Sequence, residues 1–257
     1  MDRSPDMPYP DNYADYDIDE CGDEIAVFCD SACTAGKHIS LKVAVTLAED
    51  LTEGRLVTCE HGARRVSRTE KDGSVVTLAD SFQGRRLNSP NDVVVKSDGT
   101  VWFTDPPYGI GPEDIEQPTN YVFRLDPATN ELTAVADDFD RPNGLCFSPD
   151  ESKLYIADSS HEPGRSHVRV FDVTADNTLT GGEIFTPIDP ESPDGMRFGP
   201  DGRLYVAAGD GIHIFDAAGT MVDKIEMPIR PSNLTFGGPD HKTLYITARP
   251  SLFSIRL

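Results

Sequence analysis

The sequence predicts an all-β propeller, and three observations support that prediction. A recurring segment contains a short apolar run, an Asp-Gly or Pro-Asp turn and a second apolar run, which is the pattern of a β-hairpin. The anchor residues of the second runs are separated by 46, 52, 50 and 40 residues; they are Leu56, Trp102, Leu154, Leu204 and Leu244. A period of about 40–50 residues with four strands per unit is typical of propeller blades. No stretch of the chain shows sustained helical periodicity.

The strands that follow each hairpin complete the repeating unit. Apolar runs of strand length follow four hairpins, at residues 121–126, 168–172, 212–216 and 252–256. The repeat near Leu56 keeps only half of its hairpin, because the residues before it do not match the pattern. We therefore expect propeller blades over residues 49–257 and a separate acidic N-terminal segment over residues 1–48.

The charge of the chain excludes several classes of partner. The chain has 23 Lys and Arg residues against 44 Asp and Glu residues, which gives a net charge of −21. Nucleic acid and anionic membranes repel such a surface. No run of about 18 apolar residues is present to span a bilayer, and the N-terminus does not read as a secretory signal. The five cysteines are irregularly spaced, which argues against a disulfide framework, so we expect a cytoplasmic protein.

A polar residue occurs at the start of the first strand in four of the hairpins. Asn91, Asn143 and Asn233 lie 11 residues before their anchors, and Asp194 lies 10 before its own. In a propeller the innermost strands line a central channel, so these side chains would converge. Converging amide and carboxylate oxygens suit a hard cation such as Ca²⁺. The alternative is structural, because Asn and Asp also close local turns at the start of a strand.

Several long motifs resemble the gluconolactonase/regucalcin family, over about residues 54–257 and in family order. They are residues 54–66 (Gly-Arg-Leu-Val-Thr-Cys-Glu-His-Gly-Ala-Arg-Arg-Val), 87–95 (Leu-Asn-Ser-Pro-Asn-Asp-Val-Val-Val), 102–110 (Trp-Phe-Thr-Asp-Pro-Pro-Tyr-Gly-Ile), 141–145 (Arg-Pro-Asn-Gly-Leu) and 192–196 (Ser-Pro-Asp-Gly-Met). The resemblance implies a six-bladed propeller that hydrolyses sugar lactones with one divalent metal. Calcium is the expected metal, with Zn²⁺, Mg²⁺ or Mn²⁺ as alternatives.

The resemblance also implies roles for individual residues. Asn143 and Asp194 match the metal ligands, and Asn91 matches the substrate-side Asn; Asn88 lies in the same motif but is offset from the repeated position. The cation would polarise the lactone carbonyl, and Asp194 would also act as general base on a water molecule. Asn91 would orient the substrate or that water.

The N-terminal 53 residues depart from the family pattern. The family takes a third metal ligand, a Glu, from its first blade, but neither Glu20 nor Glu24 has the matching context, and Val45 replaces a polar residue. We therefore expect the first blade to be incomplete or atypical, as a truncated or frame-shifted N-terminal coding region would leave it. A catalytically impaired propeller that binds metal is the alternative function, and a poorly folded gene remnant is a third possibility.

Other combinations of residues are weaker. Cys29, Cys33 and His38, with Cys21 nearby, do not have the spacing of a standard zinc site. His61 and Tyr108 lie in family-like loops that could border the channel mouth, although His61 could equally cap a turn.

Overall fold

The computed structural model describes residues 54–162, 164–249 and 251–257, together with the two short strands Phe28–Cys29 and Lys42–Val43. This part of the chain is all-β, as predicted, with one 3-10 turn at Pro112–Asp114 and no α-helix. Within it, no helix has the length and apolar character needed to cross a membrane. Cys21, Cys33 and His38 of the zinc combination, the acids Glu20 and Glu24, and the 48/49 boundary lie outside the described residues.

Antiparallel meanders form five successive sheets, numbered 1 to 5 along the chain. Before sheet 1, β1 (Phe28–Cys29) pairs with β2 (Lys42–Val43). Sheet 1 contains β3 (Leu56–Glu60), β4 (Arg65–Thr69) and β5 (Val75–Ala79), and a separate two-stranded pair, β6 (Ser81–Phe82) and β7 (Arg85–Arg86), follows it. Sheet 2 contains β8 (Val93–Val95), β9 (Val101–Asp105), β10 (Asn120–Asp126) and β11 (Glu131–Phe139).

The remaining three sheets follow the same pattern. Sheet 3 contains β12 (Pro142–Phe147), β13 (Lys153–Ser159), β14 (Ser166–Val173) and β15 (Leu179–Pro187). Sheet 4 contains β16 (Met196–Phe198), β17 (Leu204–Ala208), β18 (Gly211–Phe215) and β19 (Met221–Glu226). Sheet 5 contains β20 (Asn233–Gly237), β21 (Thr243–Ala248) and β22 (Ser251–Arg256). The described residues thus form a propeller-like arrangement of five blades, and the count of six stays a prediction.

The first strands of sheets 2 to 5 form the inner side of this arrangement. Each is an edge strand of its own sheet, and β12 contacts both β8 and β16, while β16 contacts β20. In sheet 1, β3 contacts β8 and also lies beside β2. The starts of consecutive sheets therefore lie next to one another, as the repeat predicts.

The core lies between consecutive sheets. Four clusters of buried apolar residues each join one sheet to the next. In β9, Phe103 belongs to the cluster shared with sheet 1, whereas Trp102 belongs to the one shared with sheet 3. Because successive side chains of a strand point to opposite faces, a blade covered on both sides needs a continuous apolar run. The outermost strands are more exposed, with Val75 and Met221 each 52% exposed.

Removal of the Phe123 ring tests this packing. Phe123 in β10 is fully buried, and its ring centroid lies 5.0 Å from that of Phe82 and 5.3 Å from that of Phe103. Phe123→Ala should lower the free energy of unfolding by about 3–5 kcal/mol, as measured by urea denaturation. The control Val75→Ala, on the exposed outer strand, should change it by no more than about 0.5 kcal/mol. Equal losses in the two variants would contradict the assignment of the core.

Candidate functional site

The sheet register shows which residues are equivalent from blade to blade. In the inner hairpins, Val95 pairs with Val101, Phe147 with Leu154, Phe198 with Leu204, and Phe236 with Leu244. The residue four positions before the first member of each pair occupies the inner position of its sheet. Those four inner positions hold Asn91, Asn143, Asp194 and Ser232.

This register corrects the sequence prediction in sheets 2 and 5. Ser232, not Asn233, is equivalent to Asp194, and Val101, not Trp102, is equivalent to Leu154. Counting back a fixed number of residues from the anchors failed because the hairpin turns differ in length. Between five and seven residues separate the two members of the pairs given above. Asn233 has the structural role, since its Oδ1 accepts the N–H of Leu234 at 2.8 Å.

Asn91 and Asn143 contact each other directly. Nδ2 of Asn91 donates to Oδ1 of Asn143 at 2.6 Å, and Oδ1 of Asn91 lies 3.1 Å from Nε2 of His61. All three residues are buried. His61 lies in the turn between β3 and β4, so this contact joins sheets 1, 2 and 3. Both readings of His61 hold, because its ring contacts Asn91 while its carbonyl accepts the N–H of Arg64 at 3.2 Å in the turn.

Two hydrogen bonds join Asn143 to Pro193, the residue before Asp194, at the boundary of sheets 3 and 4. Nδ2 of Asn143 donates to Oγ of Ser159 at 3.0 Å, and the Ser159 hydroxyl donates to the carbonyl of Pro193. A Cβ on Gly144 would lie 2.1 Å from the carbonyl oxygen of Asp194, so the two backbones touch here. The structure therefore brings Asn91 and Asn143 into contact and places the backbone of Asp194 beside that of Gly144, with the Asp194 residue half-buried.

Two aspartates hold the loops that lead into the Asn positions. Asp105 accepts the N–H groups of Asn88 and Ser89 at 2.8 and 2.9 Å. Asp158 accepts the equivalent N–H groups in sheet 3, those of Asp140 and Arg141, at 3.0 and 2.8 Å. The equivalent positions in sheets 4 and 5 are Ala208 and Ala248, so the two Asn-bearing loops share a support that the other two lack.

Burial raises the pKa of Asp105 to about 7. The two backbone N–H bonds and the charge of Arg64 oppose this rise, because each favours the carboxylate form. Asp105 is fully buried, so the loss of hydration outweighs them. Protonation of Asp105 near neutral pH would weaken its hydrogen bonds to the loop that carries Asn91.

Other residues singled out in the sequence lie at the edge of this cluster. The Tyr108 hydroxyl donates to the carbonyl of Arg141 at 3.2 Å, so it joins two of the loops beside the inner positions. Asn88 is directed away from the cluster, since its Nδ2 donates to the carbonyl of Asp105 at 3.1 Å. The sequence analysis missed Ser159, Asp105 and Asp158, although the two aspartates occupy equivalent positions near the end of the second strand of a hairpin.

The donor atoms at the site are oxygens, which is the type of ligand that a hard cation prefers. Asn143 and Asp194 offer an amide and a carboxylate oxygen, and Oδ1 of Asn143 has a second lone pair beside the one facing Asn91. Across the described residues there is no group of three or more His, Cys, Asp or Glu side chains placed to hold a metal. The third ligand that the resemblance implies would come from the first blade, in the part of the chain not described.

Comparison with known proteins identifies the family. The sequence profile described as "SMP-30/Gluconolactonase/LRE-like region" matches residues 24–249. The chain belongs to this family. The resemblance predicted from the motifs is thereby confirmed, and the matched region begins 30 residues earlier than those motifs, inside the N-terminal segment. The domain boundary at residue 48 stays a prediction.

Three relatives illustrate the similarity. A gluconolactonase of Zymomonas mobilis is 33% identical over 221 residues, which cover 79% of this chain and 60% of that protein. The structure of a gluconolactonase from Xanthomonas campestris superposes with a TM-score of 0.72 at 38% identity, covering 79% of this chain and 69% of that one. A calcium-binding protein, regucalcin from Agrobacterium tumefaciens, superposes with a TM-score of 0.64 over 82% of this chain and 69% of that one. At 20% identity it shares the fold alone. This chain thus spans about three fifths of the length of the Zymomonas relative.

Asp105→Asn should change how stability depends on pH. Because the folded pKa of Asp105 is raised, the native state holds more protons than the unfolded state between about pH 4 and pH 7. The stability of the wild type relative to the variant should therefore fall as pH rises through this window, by at most about 1.4 kcal/mol per pH unit. Denaturant unfolding at several pH values measures it. A difference that stays constant, or that grows with pH, would refute the assignment.

Gly144→Ala tests the backbone contact between sheets 3 and 4. The new Cβ would meet the carbonyl oxygen of Asp194 at 2.1 Å, so the two inner strands have to move apart. We expect a loss of about 1–3 kcal/mol in the free energy of unfolding. Gly62→Ala is the matched control, because a Cβ there meets nothing within 4 Å. Equal thermal stability of the two variants would show that this contact is not needed.

Proposed function

We propose that this protein hydrolyses sugar lactones in the manner of a gluconolactonase and needs a divalent cation to do so. The observation that supports this most strongly is the cluster in which Asn91 contacts Asn143, which is joined through Ser159 to the backbone before Asp194. The names of two relatives, from Zymomonas and Xanthomonas, support the substrate class. A small-molecule sugar lactone is therefore the expected partner, and a cytoplasmic location remains a prediction.

Asn143 and Asp194 would hold the cation, and calcium is the first candidate. Both are oxygen donors of the kind that Ca²⁺ accepts at flexible geometry. Zn²⁺, Mg²⁺ and Mn²⁺ are the alternatives to test. When bound, such a cation polarises the lactone carbonyl and stabilises the negative charge that develops on its oxygen.

Asp194 and Asn91 would carry out the proton transfer and the orientation of the reactants. The Asp194 carboxylate takes a proton from a water molecule as that water adds to the carbonyl carbon. The bond from this carbon to the ring oxygen breaks, the ring oxygen receives the proton that Asp194 had taken, and an open-chain hydroxy acid results. Asn91 orients the lactone or the water through its amide, which His61 and Asn143 hold at both ends.

One observation favours the second candidate, a propeller that has lost catalysis. Of the predicted ligands, the described residues provide a single carboxylate, that of Asp194. If no acid from the N-terminal segment replaces the missing Glu, the cation would be held too weakly or with the wrong charge.

Asp194→Asn distinguishes the two candidates. The substitution keeps an oxygen donor but removes the charge and the base, so lactone hydrolysis should fall by about 10²–10⁴-fold. The measurement is pH-stat titration of the acid released from a sugar δ-lactone, with each cation added in turn, and calorimetry of cation binding in the same preparation.

Asp223→Asn is the matched control, because Asp223 is exposed on the outer strand of the same sheet. It should retain full activity. Cation binding without turnover in the wild type would support the impaired propeller, and neither binding nor turnover in a cooperatively folding protein would reject both candidates.

A further inference from the structure

A single series of hydrogen bonds crosses four sheets at the candidate site. It runs from His61 to Asn91, from Asn91 to Asn143, from Asn143 to Ser159, and from Ser159 to the carbonyl of Pro193. Each of the first four side chains is buried, with exposed fractions of 7% or less. Pro193 directly precedes Asp194, so the series ends at the backbone of the predicted base.

The last bond determines the direction of all the others. A backbone carbonyl oxygen only accepts, so the Ser159 hydroxyl has to donate to Pro193. The oxygen of Ser159 is then the acceptor toward Asn143, and the group that faces it has to be the amide nitrogen, at 3.0 Å. Oδ1 of Asn143 is thereby directed to the side of Asn91.

The same reasoning continues to the other end. Oδ1 of Asn143 requires a donor, so Nδ2 of Asn91 faces it at 2.6 Å, and Oδ1 of Asn91 faces His61 at 3.1 Å. Nε2 of His61 therefore carries a proton. Reversing either amide would place oxygen against oxygen or N–H against N–H, which costs about 1–3 kcal/mol for each buried group left unsatisfied.

We propose that Ser159 and His61 are positioning residues that fix the amide orientation of Asn143 and Asn91. Ser159 keeps an oxygen, rather than an NH₂ group that cannot ligate, on the side of Asn143 where the cation would bind. His61 keeps the NH₂ group of Asn91 turned toward Asn143. The role in cation and substrate binding rests on the proposed function, whereas the direction of the hydrogen bonds does not.

The tautomer of His61 tests the direction by itself. Nitrogen-15 NMR of the full-length protein at pH 8, with His61→Gln used to assign the resonances, distinguishes a protonated Nε2 from a bare one. A proton on Nε2 supports the proposal. A neutral ring with its proton on Nδ1 alone would overturn it, whatever the protein binds or hydrolyses.

Ser159 variants test the consequence for cation binding. Ser159→Ala should weaken calcium affinity by about 10–100-fold, the usual effect of losing an outer partner of a ligand. Ser159→Thr, which keeps the hydroxyl, should stay within about threefold of the wild type. The control is Ser160→Ala, because Ser160 is also buried but accepts the N–H of Glu162 instead.

A purely structural role for Ser159 would lower the melting temperature without a selective loss of cation affinity. Calorimetry well below the melting temperature of every variant separates the two cases, and unchanged affinity in Ser159→Ala would overturn the positioning role.

His61 variants test the substrate side of the same series. His61→Leu removes the donor to Asn91, so the KM for the lactone should rise about tenfold or more while calcium affinity changes little. His61→Gln keeps an N–H donor and should recover part of that loss. An equal effect of Leu and Gln would contradict positioning by hydrogen bonding.

A wild type that neither binds a cation nor cleaves a lactone would reject the proposed function, and with it the consequences for binding. The NMR result would still decide the direction of the hydrogen bonds.

Discussion

The pairing of polar groups where the inner strands meet is the constraint on which this site depends. The propeller-like arrangement brings the starts of consecutive sheets together, and the apolar clusters between the blades exclude water around them. Polar side chains at these positions then have to satisfy one another, because a buried polar group without a partner is costly. Asn91 and Asn143 are partners for that reason, and Ser159 and His61 complete the series at either end.

Much of the fold could be predicted from the sequence because every blade repeats the same pattern of apolar strands and turns. Continuous apolar runs such as Leu204–Ala208 indicate strands covered on both faces, and the structure places this strand between two core clusters. The five blades that the structure describes correspond to the five anchors. The segment before residue 54 offered no such pattern, so its contribution could not be predicted from strand rules.

The site was partly predictable, for a physical reason that differs from residue to residue. Asn91, Asn143 and Asp194 repeat in register, so the sequence identified them together. Asn233 repeats in spacing but not in register, because register is set by backbone pairing and not by counting across turns of unequal length. Ser159 and His61 have no repeat equivalents in the pattern, and only the meeting of different sheets shows what they contact.

The unequal hairpins also show where this protein can be lengthened. Five residues lie between Phe198 and Leu204 but seven between Phe236 and Leu244, yet the inner positions that precede both hairpins remain equivalent. The extra length is accommodated at the turn, far along the strand from the inner end. The exposed part of this turn, residues 239–242, is therefore a suitable place to insert a reporter peptide or an immobilisation tag. The inner ends of the strands, where the polar side chains meet, would keep their arrangement in such a fusion.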